Sequence, residues 1–388
     1  MRKGLIAAAL AALIGGQSHA ADVRGVTATE ITIGTYTDLS GVTAMWGVNN
    51  SNTWRMVFDE VNAAGGIHGR KIKYIVEDNQ YQIPRSVQAA NKLINKDNVF
   101  IMVANGGTPM NNATMPDQLA KGVPNMFPLT SARSMYEPFH HLKFGLAASY
   151  YDQMRSGVKL FVGERGKKVV CGMSIDSDFG RDVMDGARDQ LKAMNMSFAA
   201  ETFHKATDTD FSASVARLRE AKCDLILLGT ITRDTVQIVS AVRKIGWDVD
   251  MLGQAASYDD AVADVPGGVT EGFYSMTPVI NVATSGETPQ IKAFAEKYKK
   301  TAGKDPNFAA QFGYMGAQLI VQALKNAGKD LTTDSFVAGM EAIKDWKDIF
   351  GSPPMTFSST KHQGSSESFL CVVKGNRWVP VSKTPIGY

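Results

Sequence analysis

The side chains of this 388-residue chain that could do chemistry are few and scattered. His140-His141 is the one adjacent pair among six histidines. Neighbours in sequence do not converge on one metal ion, and no cysteine or third histidine lies nearby, so solvated loop residues are the simpler reading. No G-x-S-x-G elbow presents a nucleophilic serine. Gly65-Gly66-Ile67-His68-Gly69 lacks both the G-x-G-x-x-G spacing and the lysine of a P-loop, and a helix stop followed by a turn explains it. Arg133, Arg181 and Arg233 follow strand ends, where a guanidinium fork could take a carboxylate. Each also reads as a solvated surface residue, Arg233 most of all. What remains is a set of loops rich in hydroxyls: Leu39-Ser40-Gly41, Gly106-Gly107-Thr108-Pro109 and Thr130-Ser131-Ala132. Hydroxyl and N–H donors suit an organic anion, because charge-assisted hydrogen bonds offset its desolvation. Ordinary turn capping would use the same residue types.

The elements that position these loops are legible from periodicity. Ile31 and Ile33 alternate with polar residues, the period of a strand, and Trp54, Val57, Phe58 and Val61 fall on one face of a helix. Gly65-Gly66 stops that helix, and 72–76 supply a second strand. Strand, helix and strand at this spacing form a βαβ unit, which implies a parallel sheet with ligands at the carboxyl ends of its strands. Further strands are predicted at 99–104 and 125–129. After a break near 147–151 a second set begins, with strands at 168–175, 198–203, 224–228, 250–253 and 272–276. Helices are predicted at 180–194, around Phe211, Val215 and Leu218, and around Val236, Val239 and Val242. From 289 the pattern turns helical (291–301, 309–327, 333–343), and 369–381 reads as an antiparallel hairpin turning at Gly375-Asn376. The late helices have too few strands for a third domain, so they must cover an existing sheet. The expected fold class is α/β: two Rossmann-like lobes with a cleft between them.

Composition agrees with a globular protein of two domains, 44% hydrophobic and 20% charged. Residues 1–20 have the pattern of a removable export signal: Arg2 and Lys3, an apolar run over 5–14, then Ser18-His19-Ala20 before Ala21. The residue directly after that point is Ala21 and not a cysteine, so no lipid anchor is expected there. The mature chain keeps 39 basic residues against 38 acidic, a balance with no electrostatic footprint for nucleic acid. Of three cysteines, Cys171, Cys223 and Cys371, at least one must stay free or bond another chain. Cys171 and Cys371 sit in apolar runs and read most simply as core residues.

Three segments in order resemble the periplasmic solute-binding proteins of the branched-chain amino-acid type, which serve ABC transporters. They are G-x-x-x-D-L-S-G at 34–41, D-E-V-N-A-A-G-G-I-x-G-R-K-I at 59–72 and D-x-x-F-G-R at 176–181, within a likeness running from about 30 to 349. The resemblance implies a type I fold with three interlobe crossings, near 147–149, 276–277 and 351–352. It makes 21–148 with 277–351 the first lobe, and 149–276 with 352–388 the second. It also implies a periplasmic location, a membrane permease as partner, a monomer, no enzymatic activity and no cofactor.

By the same likeness the ligand's carboxylate falls to Gly107, Thr108, Thr130 and Ser131. Ala132 replaces a threonine of the amino-acid binders. The glutamate that holds an ammonium in those proteins falls in the run 253–257, where Gln254 and its neighbours offer no acid, and a tyrosine of the loop beside Thr230 becomes Ile231 or Thr232. The family's two loop cysteines are replaced by Gln80 and Gly107. A buried ammonium without a carboxylate would cost several kcal/mol or more, roughly the penalty of an unpaired ion. The family's aromatic positions fall on Trp46, before the first helix, on Tyr150 and Tyr151 at the crossing, and on Phe179, all expected to face the cleft. Flat walls favour a flat apolar body. The ligand expected is therefore a small carboxylate, aromatic in character, gripped by hinge closure.

Overall fold

The computed structural model describes residues 23–286 and 288–388; the expected export signal lies outside the described residues. Two sheets carry the chain. The first holds β1 (Glu30–Thr37), β2 (Lys71–Asp78), β3 (Ile101–Val103), β4 (Asn125–Met126) and β5 (Lys143–Phe144). All five are parallel, in the order β2-β1-β3-β4-β5. The second holds β6 (Val170–Ile175), β7 (Ala200–His204), β8 (Leu225–Gly229), β9 (Asp250–Gly253), β10 (Tyr274–Thr277), β11 (Phe369–Val373) and β12 (Trp378–Pro380). Its order is β12-β11-β10-β9-β8-β6-β7, parallel from β6 to β10 and antiparallel at β11 and β12. Gly375 and Asn376 both take positive φ in the hairpin turn, as a two-residue type I′ connection requires.

Helices cover both faces of the sheets, so central strands such as β8 are apolar and buried throughout. They are α1 (Ala44–Ala63), α2 (Ile83–Asn91), α3 (Thr108–Ala120), α4 (Tyr150–Gly163), α5 (Asp178–Ala193), α6 (Ser212–Glu220), α7 (Thr232–Lys244), α8 (Asp260–Ala263), α9 (Val282–Ser285), α10 (Pro289–Ala302), α11 (Phe308–Asn326) and α12 (Thr333–Glu341). The late helices return to the first sheet, as their excess over strands demanded. Asn50 of α1 donates to the Ala309 carbonyl of α11, and Tyr298 of α10 donates to the Asn49 side chain of α1. No helix among the described residues is long and apolar enough to cross a membrane.

Sequence periodicity missed α2, α3, α4, the short α8 and α9, and β5. In α2 the buried face is Ser86, Ala89 and Ala90, while Ile83 and Val87 point outward, so its apolar period points the wrong way. The two residues of β5 are too few to show any period. Trp46 also lies in the first turn of α1 rather than on a loop before it. The third passage of the chain comes later than 351–352. Residues 355–363 still lie on the first sheet: Phe357 packs against Phe127 and Phe144, and Gln363 pairs with Gly145. The second sheet is rejoined only at Phe369.

Cys171 is buried, but it is not a free core thiol: it is bonded to Cys223, tying β6 to the turn that precedes β8. Cys371 is the free one, and burial pushes its thiol up to about 12. The bond closes a loop with a separation of 52 residues, so it removes much of the freedom of the unfolded second lobe. The variant C171A/C223A should lose ~2–4 kcal/mol in denaturant melts followed in the second lobe. An unchanged midpoint would mean that the two sulfurs do not restrain the unfolded chain.

Candidate functional site

A cavity of about 620 Å³, counting its open mouth, lies between the lobes. It sits where both sheets reverse their strand order, between β1 and β3 in one lobe and β6 and β8 in the other, the place where open α/β sheets take ligands. Parallel strands end there, so helices begin there. Trp46 and Gly47 are in the first turn of α1, Thr108 opens α3, Tyr150 opens α4, Phe179 is second in α5, Ile231 caps α7 and Phe308 opens α11. Each helix brings about half a positive charge and unsatisfied N–H groups to its amino end.

The polar end of the cavity is built from hydroxyls. Thr108 Oγ1 and Thr130 Oγ1 are 2.6 Å apart, and Ala132 N donates to Thr130 Oγ1. Burial holds the Tyr150 phenol above its ordinary value, against hydrogen bonds with Thr130 and the Ser131 backbone. Gly107 takes φ +89° as the cap of α3, a conformation that favours glycine. Thr37, at the end of β1, has a buried hydroxyl with no hydrogen-bond partner among the described residues. The apolar end is aromatic: Tyr150 meets Phe179 edge to face at 5.1 Å, and Trp46 meets Phe308 at 5.5 Å.

Among the described residues that line the cavity, none carries a carboxylate, ammonium, guanidinium or imidazole. The nearby carboxylates are spent on other partners. Asp38 accepts from the Ser40, Gly41 and Thr43 amides and from Thr43 Oγ1, so the D-L-S-G motif holds its own loop. Asp234 is held by Arg233 and His204. Asp182 accepts from the Arg133 amide.

Of the ten residues singled out as ligand contacts, Trp46, Gly107, Thr108, Thr130, Ser131, Tyr150 and Phe179 border this one cavity. Three do not. Tyr151 turns away from the cavity, donating to Asp189 and stacking under the Arg133 guanidinium. Thr230 is bonded to Thr235 behind the wall. Gln254 caps the short turn at Ala255–Ser257 and donates to the Thr230 carbonyl. None of the three arginines reaches the cavity. Arg181 pairs with Asp176 and Asp178 at the surface, Arg233 with Asp234, and Arg133 with Asp182. Sequence reasoning missed Thr37, Tyr81, Phe308 and Phe312. The last two had a signal, an aromatic pair at i, i+4 directly after an Asn cap.

The lobes meet directly around the cavity. Trp46 Nε1 donates to Thr232 Oγ1 at 3.2 Å, Asn112 to Asp178 at 2.9 Å, Arg133 N to Asp182 at 3.2 Å, and Asn307 to Asp259 at 3.2 Å. The first partner of each pair belongs to the lobe of β1, and the second to the lobe of β6.

Comparison with known proteins agrees with this architecture. A relative named Leu/Ile/Val-binding protein homolog 8, from Brucella abortus, is 26% identical over 81% of this chain and 80% of its own. The fatty acid ABC transporter substrate-binding protein of Thermomonospora curvata superposes with a TM-score of 0.83 at 24% identity, covering 94% of each chain. A branched-chain amino acid ABC transporter protein of Thermus thermophilus with bound valine superposes with a TM-score of 0.82 at 16% identity, over 93% of this chain and 97% of that one. Residues 30–377 match the periplasmic binding protein family, and the chain therefore belongs to that family, with its type I fold.

Proposed function

We propose that this protein is the solute-binding component of an ABC uptake transporter and that its ligand is a small organic acid with a flat apolar body and no amino group. The observation that carries this reading is the charge of the cavity: six α-helix amino ends converge on walls that hold no ionised side chain. Helix ends and hydroxyl donors favour an anion. The same walls would leave an ammonium unpaired at a cost of several kcal/mol, roughly that of any lone buried ion. Relatives named for leucine, isoleucine and valine raise the alternative of an α-amino acid. That alternative needs a free carboxylate, and Asp38, Asp182 and Asp234 are all engaged.

In the mechanism proposed, the carboxylate docks on Thr108, Thr130 and the Ser131 backbone, with the ring between Trp46, Tyr150, Phe179 and Phe308. The second lobe then closes, completing the bonds from Trp46 to Thr232 and from Asn112 to Asp178. A membrane permease would take the closed form as its partner. Export to the periplasm fits both the signal at 1–20 and a disulfide, which persists in an oxidising compartment.

Melting the protein with benzoate, 4-methylpentanoate, octanoate or leucine tests the ligand class. Benzoate should stabilise most; an excess of 100 times its dissociation constant gives ~2.7 kcal/mol. Stabilisation by leucine with none by the acids would overturn the assignment.

Closure should also depend on pH. Burial raises the Asp182 carboxyl to about 7, opposed by the Arg133 amide and guanidinium, with Asp185 and Asp152 raising it further. In an open form this carboxyl would be wetter and closer to its ordinary value. Closing then takes up a proton, so closure is favoured below about 7 and loses that support as pH rises through it. Benzoate affinity should rise about tenfold from pH 8 to pH 6, since one pH unit is worth 1.36 kcal/mol per proton. Calorimetry in two buffers of different ionisation heat would show the uptake, and D182N should abolish it.

A further inference from the structure

Tyr81 borders the cavity from the loop between β2 and α2, and its position is held against backbone preference. Gln80 and Tyr81 both take positive φ, +50° and +54°. Two successive non-glycine residues there are strained, and such strain persists only where the surroundings over-determine it. The surroundings do so here. Asp78 accepts from the Gln80 amide, the Leu39 amide and the Ser40 hydroxyl, and Asn79 Oδ1 accepts from the Tyr81 amide. Asn79 is itself buried and tied to Ser86.

The strained loop delivers a phenol to the cavity. The Tyr81 ring lies against Gly107, where an added Cβ would come within 3.0 Å of it, beside the hydroxyls of Thr108 and Thr130. Burial raises the Tyr81 phenol far above its ordinary value, and the charges it feels, from Tyr150, Asp234 and Asp38, come from both lobes. Its hydroxyl makes no hydrogen bond among the described residues. Tyr36, a tyrosine with only a structural place, spends its hydroxyl on Thr114 at 2.6 Å. Tyr81 is half-buried and borders the cavity, so a ligand that displaces water there must supply its hydroxyl with an acceptor.

We infer that Tyr81 is a ligand-binding and specificity-determining residue, whose hydroxyl donates a hydrogen bond to the bound acid while its ring walls the cavity against Gly107. This inference rests on the organic-acid reading of the site. It adds a donor where the run 253–257 and the loop at 231–232 supply none.

The test compares Y81F with wild type in two measurements, the melting of the ligand-free protein and the affinity for benzoate by calorimetry. Y81F removes only the hydroxyl. Its ligand-free melting point should stay within about a degree of wild type, because no protein bond is lost, while benzoate binds ~10-fold more weakly or worse. Unchanged benzoate affinity would overturn the inference. So would ligand-free Y81F melting several degrees lower, which would give the hydroxyl a structural partner instead. If no acid binds wild type, the organic-acid reading fails on its own. The molecule released from the purified proteins by denaturation then decides, and equal retention by Y81F and wild type would overturn Tyr81.

Discussion

One carboxylate holds the place where the lobes join. Asp152 is buried at the start of α4, just past the first crossing. Its Oδ2 accepts from the Ser149 amide, the Ser149 hydroxyl and Gln363 Nε2, and its Oδ1 accepts from the Tyr388 hydroxyl. Those donors come from the first crossing, from the segment approaching the third and from the last residue of the chain. A buried carboxylate tolerates such a position only when its lone pairs are filled, since leaving it uncompensated costs about 3–5 kcal/mol. The capping box of Ser149 and Asp152 therefore does more than begin a helix. It fixes where Tyr150 emerges, and Tyr150 is the residue from which the cavity's aromatic and hydroxyl ends diverge.

From that fixed point the cavity acquires its character without any ionised side chain. Parallel sheets send every helix away from the carboxyl ends of the strands, so two facing sheets aim their helix amino ends at each other. The result is a positive field made of backbone. A lysine or arginine would bind any anion strongly but would draw water and counter-ions with it. Backbone dipoles and hydroxyls set an orientation as well as a sign, because each donor has a direction. The carboxylates closest to the cavity are turned to structural work, Asp38 on its own loop and Asp234 on Arg233 and His204. The chain keeps negative groups near the site yet presents none of them to it.

How much of this was legible in the sequence follows from what each feature needs. The βαβ order, the lobes and the helices from 289 are set by long apolar periods, and those survive into the structure. The hydroxyl loops were legible because strand ends are where ligands bind, whatever the residues. The failures are local. Thr230 and Gln254 carry the right chemistry at strand ends but face each other behind the wall, which only the packing of the turn at Ala255–Ser257 decides. Tyr151 follows Tyr150, and the helix rotates it about 100° away, onto Arg133 and Asp189. Tyr81 could not be read at all. Its place depends on two positive φ angles that neither glutamine nor tyrosine advertises, and on Asp78 and Asn79, which are themselves held by Leu39, Ser40 and Ser86. The disulfide was equally hidden, because three cysteines allow three pairings and the adjacency of β6 and β8 is a property of the sheet.

The contacts between the lobes explain how such a site could act as a clamp. The bonds of Trp46, Asn112, Arg133 and Asn307 across the cleft are polar, and each of their donors and acceptors would find water if the lobes parted. Bonds exchanged for water are worth only ~0.5–1.5 kcal/mol each, and ordering the side chains offsets part of that. On those four bonds alone, closure of the bare protein would be nearly balanced. A ligand shifts such an equilibrium only by its differential affinity for the two states. An acid that touches Thr108 in one lobe and Phe179 in the other has that differential, because half of its contacts exist only when the lobes are together. A large apolar seam between the lobes would have destroyed the response by holding them shut regardless. The aromatic side chains of the cavity wall are already buried, Tyr150, Phe179 and Phe308 among them, and Phe308 meets Tyr258 of the facing lobe edge to face at 5.3 Å, so opening the lobes would also part that ring pair.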